Sequence, residues 1–353
     1  MPPPRQPLAR LLVTRRMTAA AEAAIGAEFD ATFRDSTTPL TEAEATAALA
    51  HHDAIMPTLG DGFTAAAFAA APPRARVLGN FGAGFNHIDL AAAAEAGVVV
   101  TNTPEVVTDA TADIALTLIL MTARRAGEGE RLVRAGRWKG WHPTQMLGMH
   151  VTGRTVGIIG MGRIGQAIAR RCHGGFAMQV LFHNRRGVTG LGFPARRVPL
   201  PELLASSDIV VLAVPGGAET RHLIGADQLA AMQPHAILIN IARGDVVNEA
   251  ALIAALDAGQ IAGAGLDVYE REPLVPDTLR ARDDVVLLPH LGTAAEEVRT
   301  AMALRALENL RAVRDGRDPP DRVAWAEMNL RREPGAGPCV SLPQRASLQE
   351  DAT

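Results

Sequence analysis

The chain has 353 residues, 48% of them hydrophobic and 21% charged, with a formal net charge of −3 at pH 7. That is the composition of a globular protein too long for one ordinary core, so two or so domains are expected. It offers no basic surface for nucleic acid or anionic lipid. No apolar run reaches the ~20 residues of a membrane span and no signal-like segment opens the chain. Two cysteines, Cys172 and Cys339, are too few for a disulfide framework. A reduced, cytoplasmic protein is expected, with neither nucleic acid nor membrane as partner and no metal-type Cys/His spacing.

The first nine residues carry four prolines and read as a disordered lead. Leu11 to Val13 reads as a strand, Ala19 to Phe29 and Glu42 to His51 as alanine-rich helices, Ala54 to Met56 as a strand and Ala65 to Ala71 as a helix. This alternation implies a parallel sheet. The next strand, Arg76 to Asn80, ends in Phe81-Gly82-Ala83-Gly84-Phe85-Asn86-His87-Ile88-Asp89. Small residues at the carboxyl end of a parallel strand, before a helix, suit a small carboxylate, but taken alone the turn reads first as a plain βα loop with Asp89 as N-cap.

Val98 to Pro104 leads out of this first domain. A long amphipathic helix over Val107 to Ala126 and a second one to Ala135 follow. They have nothing obvious to cover in their own sheet, which points to a dimer partner. Trp138 and Trp141 stand just beyond, either packed locally or reaching into a neighbouring subunit.

The organising stretch is Val156 to Arg186. The apolar strand Thr155 to Ile159 runs into Gly160-x-Gly162-x-x-Gly165, a helix over Gln166 to His173 and a second strand, Gln179 to Phe182. In this βαβ context Gly160 permits a tight turn, Gly162 lets the backbone approach a pyrophosphate, and Gly165 lets helix and strand pack. The helix N-terminus offers free N–H groups to the phosphates. Where an NAD site places an acidic residue, this chain has His183-Asn184-Arg185-Arg186. Guanidinium groups there suit a 2′-phosphate, so NADPH is the preferred cofactor with NADH possible; a solvated basic loop is the alternative. Cys172 on this helix reads as a small packed hydrophobe rather than a nucleophile.

Four more strands follow, Asp208 to Pro215, Ala236 to Gly244, Gly263 to Tyr269 and Val285 to His290, each delivering residues to the sheet's carboxyl edge, where ligands bind. Arg243, Glu272 and His290 arrive there from separate strands. A last helix, Ala294 to Asp315, returns to the first domain, and the polar, proline-containing segment beyond about Pro320 looks loose.

The motifs NFGAGFNHID, NTPEVVTDATAD, GIIGMGRIGQAIARR, INIARGDVVN, GAGLDVYEREP and LLPHLGT occur in this order over roughly residues 75–315. Together they resemble the D-isomer-specific 2-hydroxyacid dehydrogenase family, and within it the glyoxylate/hydroxypyruvate reductase branch. The resemblance implies an α/β protein of two Rossmann-like domains with parallel sheets, the cofactor domain (105–290, with dimerisation helices) inserted into a flavodoxin-like substrate domain (1–104 and 291–320); the disordered tail expected over 321–353 is unusual for the family and is assigned no role. It implies a homodimer that reduces a small 2-keto acid to the D-2-hydroxy acid. His290 would be the acid/base, with Glu272 bonding its ring and favouring the imidazolium form. Arg243 would grip the substrate carboxylate and polarise its carbonyl, and the backbone amides of Ala83 and Gly84 would hold the carboxylate's other side. Asp267 would meet the nicotinamide carboxamide, with Thr111 near it. Gly160, Gly162, Arg163, Ile164, Gly165, Asn184, Arg185, Arg186, Pro215, Thr220, Ala242, Arg243 and His290 complete the cofactor set.

Glu272 argues against the formate dehydrogenases of the family. The turn Pro215 to Thr220 departs from the usual leucine-threonine-proline run, which leaves the contact near the cofactor ribose open. A cofactor-sensing binding protein of the same fold is the alternative from another class; a family dehydrogenase for another acid or phosphite is a further one.

Overall fold

The computed structural model describes residues 10–323. The expected N-terminal lead, most of the tail and Cys339 lie outside the described residues.

Five parallel strands form the first sheet: β1 (Arg10–Val13), β2 (Asp30–Phe33), β3 (Ala54–Met56), β4 (Val77–Gly79) and β5 (Val99–Thr101), in the order β2-β1-β3-β4-β5. This is the flavodoxin-like order. Between them run α1 (Ala19–Gly26), α2 (Glu42–His51), α3 (Ala65–Ala69) and α4 (Leu90–Glu95). Local chemistry starts these helices where they start. Thr41 and Glu44 form a reciprocal capping box on α2, Thr64 caps α3, and the Asp89 carboxylate accepts from Ala92 N at 3.0 Å on α4. The N-cap reading of Asp89 therefore holds.

The chain then leaves this sheet through α5 (Thr108–Ala123) and α6 (Ala126–Arg134). Leu118 and Ile119 of α5 are fully buried in one cluster with Ile158, Val211 and Ile239 of the second sheet. The expectation that this helix has nothing to cover in its own sheet is thus corrected. Gly265 makes the approach possible, because a side-chain carbon there would lie 3.1 Å from Leu118 Cβ. By contrast α6 buries none of its residues, and Val133, Trp138, Trp141 and Leu147 stand exposed on and after it.

The second sheet contains β6 (Thr155–Ile159), β7 (Gln179–His183), β8 (Arg196–Arg197), β9 (Ile209–Leu212), β10 (Ile237–Asn240), β11 (Gly263–Leu266) and β12 (Val285–Leu287). Its order is β12-β11-β10-β9-β6-β7-β8, every pair parallel. The order reverses between β6 and β9, so the crevice for a ligand lies at the carboxyl ends of those two strands. The helix after β6 is α7 (Arg163–Phe176), longer at both ends than the sequence suggests, because Gly162 itself is its N-cap. Shorter helices α8 (Leu200–Ser206), α9 (Ala226–Ala230), α10 (Glu249–Asp257) and α11 (Asp277–Arg280) make the remaining crossovers. Cys172 is fully buried among apolar neighbours and burial pushes its thiol up to about 12, so it is a packing residue.

Finally α12 (Glu296–Arg314) returns to the first sheet, where Ala306, Leu307 and Leu310 pack with Leu11, Val13 and Val77. Asp321 then accepts from Arg305 and Asn309, and Val323 N donates to Val100 O at 2.8 Å. The chain thus begins and ends its described course on one sheet, with the other inserted between.

Candidate active site

The carboxyl ends of the two sheets face a shared cavity of about 880 Å3, lined by Ala83 and Gly84 from the first sheet's side and by Thr111, Ile164, Arg243, Asp267, Glu272 and His290 from the other. A second cavity adjoins it along Gly162, Arg163, Ile164, Pro215, Ala242 and Arg243.

His290 follows β12 with φ of 54°, a left-handed conformation that costs a residue with a Cβ of order 1–3 kcal/mol. The surroundings hold it there. His290 N donates to Asp267 O at 3.0 Å, and the Asp267 carboxylate accepts from Leu291 N at 2.6 Å and Gly292 N at 2.8 Å. Burial raises the Asp267 pKa against the opposing pull of those amides and of His290. The Tyr269 hydroxyl steadies the same turn by donating to Leu288 O at 2.9 Å; burial, then Asp267 and Glu272, keep that phenol well above its ordinary range and therefore neutral.

His290 Nδ1 lies 2.9 Å from Glu272 Oε2, and the other oxygen of Glu272 accepts from Tyr269 N at 3.1 Å. Burial opposes ionisation of Glu272, but the hydrogen bond and charge of His290, the Tyr269 amide and Arg243 outweigh it and hold its pKa below the usual value. With Nδ1 committed to a carboxylate, Nε2 is the ring atom left for a ligand.

Arg243 extends from the end of β10. Its Nε donates to Asn86 Oδ1 at 3.2 Å and its Nη1 to Ala242 O at 2.8 Å, while Asn240 Nδ2 donates to Arg243 O at 2.9 Å. Gly216 is a glycine because a side chain there would meet Cγ of Arg243 at 2.7 Å. Across from it, the Gly82–Gly84 turn is fixed by Asn80, whose amide donates to Gly82 O and Gly84 O at 3.0 Å each, and by Asn102, which donates to Ala83 O at 2.8 Å.

The glycine turn fits a dinucleotide. Gly160 has φ of +102° and a side chain there would strike Ala213 O, and one at Gly165 would strike Gly160 O. At Gly162 nothing lies within 4 Å, so the first turn of α7 is open to a pyrophosphate. At the end of β7, Asn184 Oδ1 accepts from Met161 N at 3.2 Å, Arg185 pairs with Glu219, and Arg186 is exposed. Thr220 donates its hydroxyl to Pro215 O at 2.7 Å, which fixes the shape of this loop. Thr111 likewise bonds its own helix, donating to Val107 O at 2.8 Å, while still lining the cavity.

A family model described as the D-isomer specific 2-hydroxyacid dehydrogenase, NAD binding domain, matches residues 116–292. The chain is also 46% identical over 286 residues to a glyoxylate reductase of Thermococcus onnurineus, which covers 79% of this chain and 85% of that one. The chain belongs to the D-isomer-specific 2-hydroxyacid dehydrogenase family. Among solved structures, a protein of Thermus thermophilus superposes on this dehydrogenase with a TM-score of 0.83 at 40% identity, covering 89% of this chain and 100% of that one. An NADPH-dependent glyoxylate/hydroxypyruvate reductase of Sinorhizobium meliloti, solved with NADP and malonate, superposes with a TM-score of 0.80 at 36% identity, covering 90% and 97%. The resemblance read from the six motifs, the enzyme class and the two-sheet fold are borne out.

Several residues of the dehydrogenase's site were not anticipated from its sequence: Asn80, Asn86, Asn102, Tyr269, Arg197 and His87. The first three were visible as polar residues at or just beyond strand ends, but nothing local says whose backbone or guanidinium they hold. Arg197 donates to Asn184 O at 2.7 Å and Arg185 O at 3.1 Å, bracing the basic loop from β8. Neither ring nitrogen of His87 has a hydrogen-bond partner, and burial, with Asp61 opposing and Arg243 and Arg15 adding to it, lowers its pKa to about 4.

Proposed function

We propose that the enzyme reduces glyoxylate, hydroxypyruvate or a similarly small 2-keto acid to the D-2-hydroxy acid, with NADPH preferred over NADH. The observation that carries this reading is the His290–Glu272 pair at 2.9 Å on the same cavity as Arg243, beside an open glycine turn. Relatives named glyoxylate reductase support the substrate class, and they lend nothing to a non-catalytic sensing role.

When bound, the nicotinamide cofactor supplies the hydride. Gly160, Gly162 and Gly165 with Arg163 and Ile164 would cradle its pyrophosphate side, Asn184, Arg185 and Arg186 its 2′-phosphate, and Pro215, Thr220, Ala242, Thr111 and Asp267 the remainder. Arg243 and the amides of Ala83 and Gly84 grip the substrate carboxylate and polarise the carbonyl with charge-assisted hydrogen bonds. His290 gives its Nε2 proton to the carbonyl oxygen, and Glu272 steadies the ring through Nδ1. On this reading residues 105–290 are the cofactor domain, inserted into a substrate domain of 1–104 and 291–320. Closure of the two around the ligand excludes water.

The exposed apolar surface of Val133, Trp138, Trp141 and Leu147, beside an α6 that buries nothing, suits the interface of a homodimer. A cytoplasmic setting belongs to the same reading, in keeping with the free thiol of Cys172. The test is the initial rate of NADPH and NADH oxidation with glyoxylate, hydroxypyruvate and pyruvate, with the mass of the purified protein measured in parallel by light scattering. Turnover with a small keto acid, faster with NADPH, is the expected result. Cofactor binding without turnover would overturn the reading.

A further inference from the structure

The cavity that holds Arg243 and His290 has a wall, built by the first sheet and α12, to which the proposed chemistry gives no task. Arg15 and Arg16 follow β1, Thr58 and Leu59 follow β3, and Arg299 lies in the first turns of α12, all lining the same space as His290. The wall is tied together: the hydroxyls of Thr18 and Thr300 are 2.7 Å apart, which places the segment after β1 beside α12 at the residue next to Arg299.

Charge on this lining is one-sided. Four arginines, Arg15, Arg16, Arg243 and Arg299, face two carboxylates, Asp267 and Glu272. Both carboxylates are engaged elsewhere, Asp267 by the amides of Leu291 and Gly292 and Glu272 by His290 and Tyr269 N. Arg15 is paired with the buried Asp61 at 3.1 Å, and Arg16 with Glu22 at 2.8 and 2.6 Å. Arg243 is assigned to the end of the substrate that reacts. Arg299 has neither an ion pair nor a side-chain hydrogen bond among the described residues, and it opens onto the cavity. A cleft lined by one sign of charge raises the local concentration of the opposite sign, and a guanidinium on its wall is a ready partner for a carboxylate.

We propose that this wall, centred on Arg299 with Arg15 and Arg16 lining the same cavity, is a subsite for a second carboxylate, so that the substrate class includes short 2-keto dicarboxylic acids. The proposal rests on the reductase reading for its orientation: with the 2-carboxylate on Arg243 and the carbonyl at His290, the remainder of the substrate has this wall to meet. Contacts to that remainder supply binding energy remote from the reacting carbon, which positions the carbonyl.

Oxaloacetate and 2-ketobutyrate match in length and differ in a terminal carboxylate against a methyl, so the ratio of their kcat/KM values reads the subsite. With the full-length enzyme the ratio is expected to favour oxaloacetate by about tenfold or more, the worth of one hydrogen bond to a charged group. Arg299→Ala should bring the ratio close to one, and Arg299→Lys should restore part of it. A ratio near one in the unaltered enzyme, or one that Arg299→Ala leaves unchanged, would overturn the subsite. Calorimetric titration with malonate and with acetate, cofactor present, keeps the two readings apart. Malonate binding that depends on Arg299 in a protein inactive on glyoxylate would keep the subsite and remove the reductase reading. Equal affinity for malonate before and after Arg299→Ala would remove the subsite whatever the turnover.

Discussion

The guanidinium of Arg243 lies against the backbone of Gly84, in the space that the first side-chain carbon of any other residue at that position would need. Two groups assigned to one substrate carboxylate, a side chain from β10 and a turn after β4, thus meet because one of them has no side chain. Gly84→Ala should push Arg243 aside and lower kcat/KM for the keto acid by about a hundredfold, the usual effect of a misplacement near 1 Å. Cofactor affinity and the melting temperature should stay close to those of the unaltered enzyme, since Gly84 lies in a half-buried turn rather than the core. A steady-state comparison with a cofactor titration checks this; undiminished turnover would show that Arg243 does not act from this position.

Glu272 is ionised to a lower pH than its ordinary 4.5 because the His290 hydrogen bond and charge, the Tyr269 amide and Arg243 overcome its burial. The stabilisation it brings is therefore complete above 4.5 and is lost as pH falls through its lower folded value. On the proposed reading its effect on catalysis runs through His290, whose Nδ1 it engages at 2.9 Å, leaving Nε2 for the substrate. Glu272→Gln should lower kcat for the keto acid by about tenfold or more and leave cofactor affinity unchanged. Steady-state rates with a cofactor titration measure this, and an undiminished kcat would exclude Glu272 as the partner that holds the acid.

His87 holds no proton in the folded chain until about pH 4, against 6.5 for the free side chain. Between those values the unfolded chain binds the extra proton, so stability falls as the pH drops through this window. The loss between neutrality and about pH 5 comes to about 2 kcal/mol. Urea unfolding of the protein and of His87→Asn at both pH values should show a smaller loss in the variant; parallel losses would mean that His87 is protonated in the fold.

The pairing of Arg185 with Glu219 occupies a guanidinium that the proposed 2′-phosphate would use. Both side chains are more than half exposed, so the pair is weak and a dianionic phosphate bound there would displace it. Glu219→Ala should lower KM for NADPH by about two- to fivefold, within the range of an exposed ion pair, with little change for NADH. Replacing Arg185 and Arg186 together with alanine should raise KM for NADPH by about tenfold or more and spare NADH. Equal changes for both cofactors would place the 2′-phosphate elsewhere.

What the sequence discloses here is chemistry carried by local spacing. The glycine turn sits between a strand and a helix in one short window, and Arg243, Glu272 and His290 each end a run that reads as a buried strand. Hidden features depend on neighbours far along the chain. Asn86 and Arg243, 157 residues apart, become partners because the two sheet edges face each other. β2 escaped because Asp30–Phe33 is an edge strand that alternates exposed and half-buried residues and offers no apolar run. The long helix α5 was legible as a helix, but the cover it gives the second sheet depends on the close approach at Gly265, which periodicity does not encode.

The described chain passes between its two sheets twice, after β5 and again between β12 and α12. Any change in the angle between the sheets must be absorbed by backbone rotation in those two connections. His290 is in the second of them, already in a left-handed conformation. The proposed proton donor is therefore part of the joint itself, so that on this reading opening the cleft to release product would also misalign the acid. Substitutions in the stretch from Leu288 to Ala295 would then alter the rate of release and the chemical step together, whereas those that spare the joint could separate the two.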